Sequence, residues 1–302
     1  MIETGAGAGA CPSPLGAAAP LLVLSPKEFA AIAALARDEF GLELGQGKEQ
    51  LVASRLGKVM RRLGLKTFRD YYRHVEGDRT GDALVELIDA LTTNHTSFFR
   101  EPAHFDFLVE RVFSQHTFAG QKGRAPMRIW CAASSTGEEP YTIALMAREY
   151  LGGAGGGAGP TLPRILATDI STRVLETARK GMYQADRFPD GLAPWLKKHL
   201  LRGEGRWQGW YRMRPEILAM VEFRRLNLIE PLPNVGRFTV IFCRNVMIYF
   251  SRETQELLVN RLAACLEPGG YLFVGHSESL TGIGHPLESV QPAVYRMRGG
   301  AK

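Results

Sequence analysis

The sequence predicts an α/β protein: a parallel, helix-covered sheet behind an N-terminal all-α domain, with a small antiparallel β insertion at the sheet's edge. Three observations carry this expectation. Apolar residues repeat at helical spacing over positions 22–92. After position 125, short apolar runs alternate with helical stretches, as buried parallel strands and their crossover helices do. Between 181 and 220 that alternation breaks into Gly-punctuated pieces rich in aromatics and arginines.

The helical part begins with Ser25-Pro26-Lys27-Glu28, which has Ser at the N-cap, Pro at N1 and Glu at N3. Phe29, Ile32, Ala33 and Ala36 continue the helix and Gly41 ends it. A second helix starts near Lys48 and places Val52, Leu56, Val59, Met60 and Leu63 on one side. Arg55, Lys58 and Arg62 occupy the opposite side, with Arg61 flanking them. A third helix covers 68–74, and a fourth carries Leu84, Leu87, Ile88 and Leu91. Positions 93–125 read as a linker. The polar run Thr92–Ser97 leads into it, and Phe98-Phe99 follow, a pairing that a purely solvated loop does not need.

Strands are expected at 127–133, 164–168, 221–226, 238–243 and 271–274, with Gly269-Gly270 as the turn into the fifth. A last strand is expected at 291–297, and helices at 140–151, 172–180 and 252–266. GGAGGGAG at 152–159 reads as a flexible connection. The insertion, about 183–220, should hold a short helical piece and a hairpin formed by 206–207 and 210–213. Insertions of this kind often bind partners.

Composition narrows the class. The 302 residues are 45% hydrophobic and 23% charged, and no apolar run approaches the roughly 20 residues that span a bilayer. Positions 1–21 are Gly/Ala/Pro-rich with Glu3 as the only charge, so they read as a disordered tail rather than a secretory signal. Four scattered cysteines without a CxxC pair suggest reduced thiols and a cytoplasmic protein. The seven histidines show no metal-ligand spacing, so no metal is expected. The net charge of +6 is concentrated in 46–74, where eight basic residues face Glu49 and Asp70. Such a patch suits an acidic partner.

Three strand ends bear chemistry. After the first, Ser134-Ser135-Thr136-Gly137-Glu138-Glu139 combines small residues with a helix N-terminus. Two carboxylates there would repel a phosphate, and the GxGxxG spacing is absent. The stretch reads as a loop for a cationic or hydroxyl-bearing ligand, or as a simple turn. Asp169 ends the second strand, where an acid can accept ribose hydroxyls or cap the next helix. Arg244 and Asn245 emerge from the fourth strand at the edge where open α/β sheets bind ligands. GHSESL at 275–280 lacks the GxSxG elbow of a hydrolase.

LTTNHTSFFRE, WCAASSTGEEPYTIAL, ATDIS, LNL and IFCRNVMIYF, in that order, resemble the chemotaxis receptor methyltransferase (CheR) family over about 25–297. The resemblance implies a Rossmann-like S-adenosylmethionine-dependent methyltransferase sheet and methylation of chemoreceptor glutamates, with S-adenosylhomocysteine as product. It implies cofactor contacts from Asn94, Thr96, Arg100, Glu138 or Glu139, Asp169, Asn227, Leu228, Arg244 and Asn245, with Tyr249 near the methyl group. Arg100 and Tyr249 are expected to be the catalytic pair, orienting the substrate carboxylate. Arg55, Lys58, Arg61 and Arg62 would meet the Glu-rich cytoplasmic helices of chemoreceptors, and the insertion would meet a receptor tail peptide. A monomer without nucleic acid or membrane insertion is implied. The competing readings are a nucleic-acid methyltransferase, for which the Asn-Pro-Pro-Tyr/Phe motif is missing, and a non-catalytic S-adenosylmethionine-binding scaffold.

Overall fold

A computed structural model describes residues 23–115, 126–152, 162–189 and 193–299. The expected tail at 1–21 and the glycine-rich connection beyond Gly152 lie outside the described residues.

Helix α1, Pro26–Phe40, starts with a complete capping box: Ser25 Oγ accepts from the Glu28 N–H, and the Glu28 carboxylate accepts from the Ser25 N–H. Gly41 ends it at φ +68°, where a side chain would also strike Ile229 of the sheet domain. Helix α2 is Glu49–Leu63, α3 Phe68–Gly77 and α4 Asp82–Leu91. The third runs three residues beyond its expected end because Val75 is buried and anchors the last turn. Ile32, Leu56, Met60, Phe68, Tyr71 and Leu87 form the core of this domain.

The presumed linker is only partly one. From Pro102 it becomes helix α5, Pro102–Phe107, continued by a π-helical stretch, Leu108–Phe113. Phe105, Leu108, Val112 and Phe113 pack into the same cluster as Ile129, Tyr141 and Phe242, so this segment is a layer of the sheet domain.

The strands are β1 Arg128–Ala132, β2 Arg164–Asp169, β3 Met182–Gln184, β4 Leu200–Arg202, β5 Trp210–Met213, β6 Val221–Arg225, β7 Phe238–Cys243, β8 Leu266–Val274, β9 Leu287–Gln291 and β10 Val294–Met297. Helices α6 Glu138–Gly152, α7 Thr172–Lys180 and α8 Arg252–Ala264 lie between them. The large sheet has the order β6-β2-β1-β7-β8-β10-β9. Its first five strands are parallel, β10 runs against β8 and β9 runs against β10, so the sheet is mixed.

Three expectations are corrected here. The single strand at 291–297 is the hairpin β9–β10, turned by Ala293 at φ +62°. Strand β8 starts at Leu266, and Gly269-Gly270 lie inside it. A Cβ on Gly270 would sit 3.0 Å from the Thr239 and Glu267 carbonyls, so glycine lets the irregular strand hug β7. In the insertion, β5 lies between β3 and β4 in an antiparallel sheet, and the stretch expected to pair with it, Gly205–Trp207, is a 3-10 turn.

The helical domain docks onto the carboxyl ends of the strands. Leu42 bridges Phe250, the Glu43 N–H donates to the Tyr249 carbonyl at 2.8 Å, and Asn227 Nδ2 donates to the Glu39 carbonyl at 2.9 Å.

Candidate functional site

A cleft open to solvent lies along this junction. Its apolar wall comes from both domains: Phe40, Leu42 and Ile88 on one side, Ile170, Leu228 and Phe250 on the other. Its polar floor comes from the ends of β1, β2 and β7 and from the 92–100 segment that crosses it. Of the residues singled out in the sequence for the cofactor and the reaction, Asn94, Thr96, Arg100, Glu139, Asp169, Asn227, Leu228, Arg244, Asn245 and Tyr249 all line it.

Glu138 does not. Successive helical residues point about 100° apart, so the two glutamates opening α6 face different ways. Glu138 is buried, accepts from Thr136 Oγ1 at 2.6 Å and pairs with Arg187 from the insertion. Arg187 also donates to the Thr96 carbonyl. Glu139 faces Arg244 and the cleft.

Arg244 organises the floor. Its guanidinium contacts Glu139 at 2.8 Å and Glu101 at 3.0 Å, and donates to the Arg100 carbonyl at 2.6 Å. Burial raises the Glu139 pKa despite this partner. Burial also works against charge on Glu101, but Arg244 wins there and the pKa falls below its ordinary value. Asn245 follows in the left-handed conformation, φ +58°, and its Nδ2 donates to Glu101 at 3.3 Å.

Asp169 closes the β2 end. One oxygen accepts from the Ser135 N–H at 2.9 Å and the other from the Ser171 N–H at 3.0 Å. Ser171, not Asp169, caps α7. Asp89 of α4 approaches from the helical domain, accepting from Ser171 Oγ at 3.0 Å and Asn94 Nδ2 at 3.4 Å. Burial raises the pKa of both acids, and the charge of Asp89 raises that of Asp169 further.

The crossing segment is pinned by its two phenylalanines. Phe98 stacks on Phe188 at 4.4 Å and meets Tyr183 edge-on, so the anchor is the insertion. Phe99, at φ +57°, packs against Phe105 and Trp195. Arg100 donates to the His95 carbonyl at 2.9 Å, and the Tyr249 hydroxyl accepts from the Thr93 N–H at 3.4 Å.

The basic face of α2 divides. Arg55 turns inward and donates to the Leu91 and Thr92 carbonyls and to Thr93 Oγ1, bracing the crossing segment. Arg62 pairs with Glu86. Lys58 and Arg61 are exposed.

Sequence reasoning passed over Asp89, Glu101, Arg187 and Glu278. Only Glu101 carried a visible signal, its place in the FFRE stretch. Two of the scattered histidines also converge: His104 and His276 share Glu101, with potential ligand atoms within 4.8 Å of one another. The Glu101 oxygen that both face is already held by Arg244. Buried His104 is held neutral, its pKa down to about 4, by desolvation and by Arg244.

Comparisons with known proteins follow the same division of the chain. Residues 27–92 match the family model described as CheR methyltransferase, all-alpha domain, and residues 94–295 match CheR methyltransferase, SAM binding domain. Chemotaxis protein methyltransferase 2 of Pseudomonas aeruginosa is 43% identical over 256 residues, covering 84% of this chain and 87% of that protein. Chemotaxis protein methyltransferase of Salmonella typhimurium is 40% identical over 277 residues, covering 91% and 92%. The two matched domains meet at residues 92–94, where the chain crosses from α4 over the cleft. With both domains matched in order, this chain belongs to the CheR family of S-adenosylmethionine-dependent methyltransferases.

Proposed function

We propose that this methyltransferase esterifies glutamate side chains of chemoreceptors, with the cleft between α4 and the sheet as the reaction site. The observation that carries the reading is the convergence of Arg100 and Tyr249 with three carboxylates, Asp89, Glu139 and Asp169, in one cleft.

The cleft's chemistry fits the cofactor. S-adenosylmethionine is a cation with an apolar adenine, and it supplies an electrophilic methyl group on sulfur. The apolar wall offers burial to a ring, and Asp89 and Asp169 hold negative charge that burial disfavours and a cation relieves. Asp169 uses one lone pair per oxygen on backbone N–H groups, so both oxygens keep acceptor capacity for ribose hydroxyls. We assign Asp169 to the ribose and Asn94, Thr96, Glu139, Asn227, Leu228, Arg244 and Asn245 to the rest of the cofactor. Glu138 is assigned to bracing Arg187 instead.

The chain needs no general base. A glutamate has a pKa of about 4.3 and is already a carboxylate at neutral pH. What the residues must do is hold that carboxylate in line and keep water away. Arg100 has guanidinium donors beyond the one used on His95, and the Tyr249 hydroxyl has its own proton to donate. Both line the cleft and bond to the crossing segment, and we assign them to orienting the substrate.

Lys58 and Arg61 complement a Glu-rich receptor helix and speed its encounter. Strands β3 and β4 are the open edges of the inserted sheet, beside exposed Leu201 and Trp207, and an extended receptor tail could add as a further strand.

The test is transfer of tritiated methyl from S-adenosylmethionine to receptor-containing membranes. Base-labile label on the receptor is expected. Label stable to base, or none, rules out the glutamate ester.

A further inference from the structure

The GHSESL stretch, inert as a hydrolase motif, carries a buried carboxylate with an unusual set of partners. Glu278 accepts four backbone N–H groups. One oxygen takes those of Met247 at 2.7 Å and Ile248 at 3.3 Å, and the other takes those of Asn245 at 2.8 Å and Gly275 at 2.6 Å. Three of the donors lie in the loop leaving β7 and one in the loop leaving β8. The carboxylate therefore ties together two neighbouring strand ends at the cleft floor.

This tie bears on Asn245. A left-handed backbone is disfavoured for a non-glycine residue, and it persists where surrounding contacts over-determine it. Glu278 supplies that over-determination on the Asn245 N–H itself, while the Asn245 side chain reaches Glu101. Gly275 belongs to the same device. A Cβ there would lie 2.9 Å from the Glu278 carboxylate and would overlap Asn245 Nδ2.

We infer that Glu278 is a positioning residue for S-adenosylmethionine binding, acting through the Asn245 backbone and the 245–248 loop. The inference rests on the reading that Asn245 contacts the cofactor. Replacing the carboxylate with an amide places an N–H donor against backbone donors, so Glu278→Gln cannot restore the tie. Glu278→Asp keeps the charge but shortens the arm, so it holds one loop and releases the other.

Calorimetry with S-adenosylhomocysteine on the full chain tests this, alongside amide hydrogen exchange of the ligand-free protein. Glu278→Gln should weaken binding by about tenfold or more, the loss of one to two charge-assisted hydrogen bonds' worth of order. It should also speed exchange at Asn245, Met247 and Ile248. Glu278→Asp should fall between Gln and wild type. Tyr295→Phe is the matched control: its hydroxyl accepts from the Leu280 N–H at 3.3 Å, so it loosens the same segment without touching Asn245, and affinity should hold. If Glu278→Gln does not fold, Gly275→Ala displaces Asn245 from the other side and should weaken binding comparably. Unchanged affinity in a folded Glu278→Gln or in Gly275→Ala, or an equal loss in Tyr295→Phe, overturns the inference. Failure of wild type to bind would instead overturn the cofactor assignment itself.

Discussion

Arg244 at the end of β7 holds Glu139, at the start of α6, at 2.8 Å, and only 3% of its side-chain surface reaches solvent. The same guanidinium neutralises Glu101 and satisfies the Arg100 carbonyl. Removing one partner of such a buried network strands the other charges, at a cost of about 3 kcal/mol or more. Arg244→Ala should therefore lower the thermal midpoint by several degrees. It should also push the Glu139 pKa still higher, because burial would be left unopposed. Arg244→Lys should recover only part of the midpoint, since an ammonium cannot present the planar fork.

Arg100→Ala should reduce turnover on receptor far more than it reduces affinity for S-adenosylhomocysteine. Its side chain donates to the His95 carbonyl within its own segment, so the fold loses little. Steady-state kinetics with calorimetry separate the two effects. Undiminished turnover would remove Arg100 from the reaction.

Charge reversal at Arg61 should cut the rate of receptor methylation, more at low than at high salt, with cofactor binding unchanged. Arg55→Ala should behave differently. Arg55 braces Leu91, Thr92 and Thr93 over the cleft, so its loss should weaken S-adenosylhomocysteine binding as well. Equal effects of the two variants on both readouts would mean that the face of α2 acts as one unit.

Asp78 gives the helical domain a defined acid response. Its carboxylate accepts from the Ala83 N–H at 2.7 Å and from the Thr80 N–H and hydroxyl, and these bonds pull its pKa down from 3.8 to about 2. A depressed folded-state pKa contributes stability that is whole above the unfolded value and disappears as pH falls through the folded one. Asp78→Ala should be less stable than wild type at neutral pH. Chemical denaturation at a series of pH values should show that gap closing between about pH 4 and pH 2.

What could be read from the chain alone was whatever a few adjacent residues decide among themselves. The capping box at Ser25–Glu28, the glycine stop at Gly41, the alternation of buried strands with helices, and Asp169 at a strand's carboxyl end are local facts. The bulge at Gly269-Gly270 and the hairpin at Ala293 were misread because the same glycines and short apolar runs suit a turn or one strand equally well until neighbouring strands choose. Only the tertiary structure decided which glutamate of the pair turns to the cleft, that Arg55 serves the crossing segment, that Asp89 lines the cleft, and that Glu101 and Glu278 brace Arg244 and Asn245. Those outcomes depend on groups brought together across the domain junction and between strand ends. Burial and charge pairing act on that arrangement, and no short window of sequence contains it.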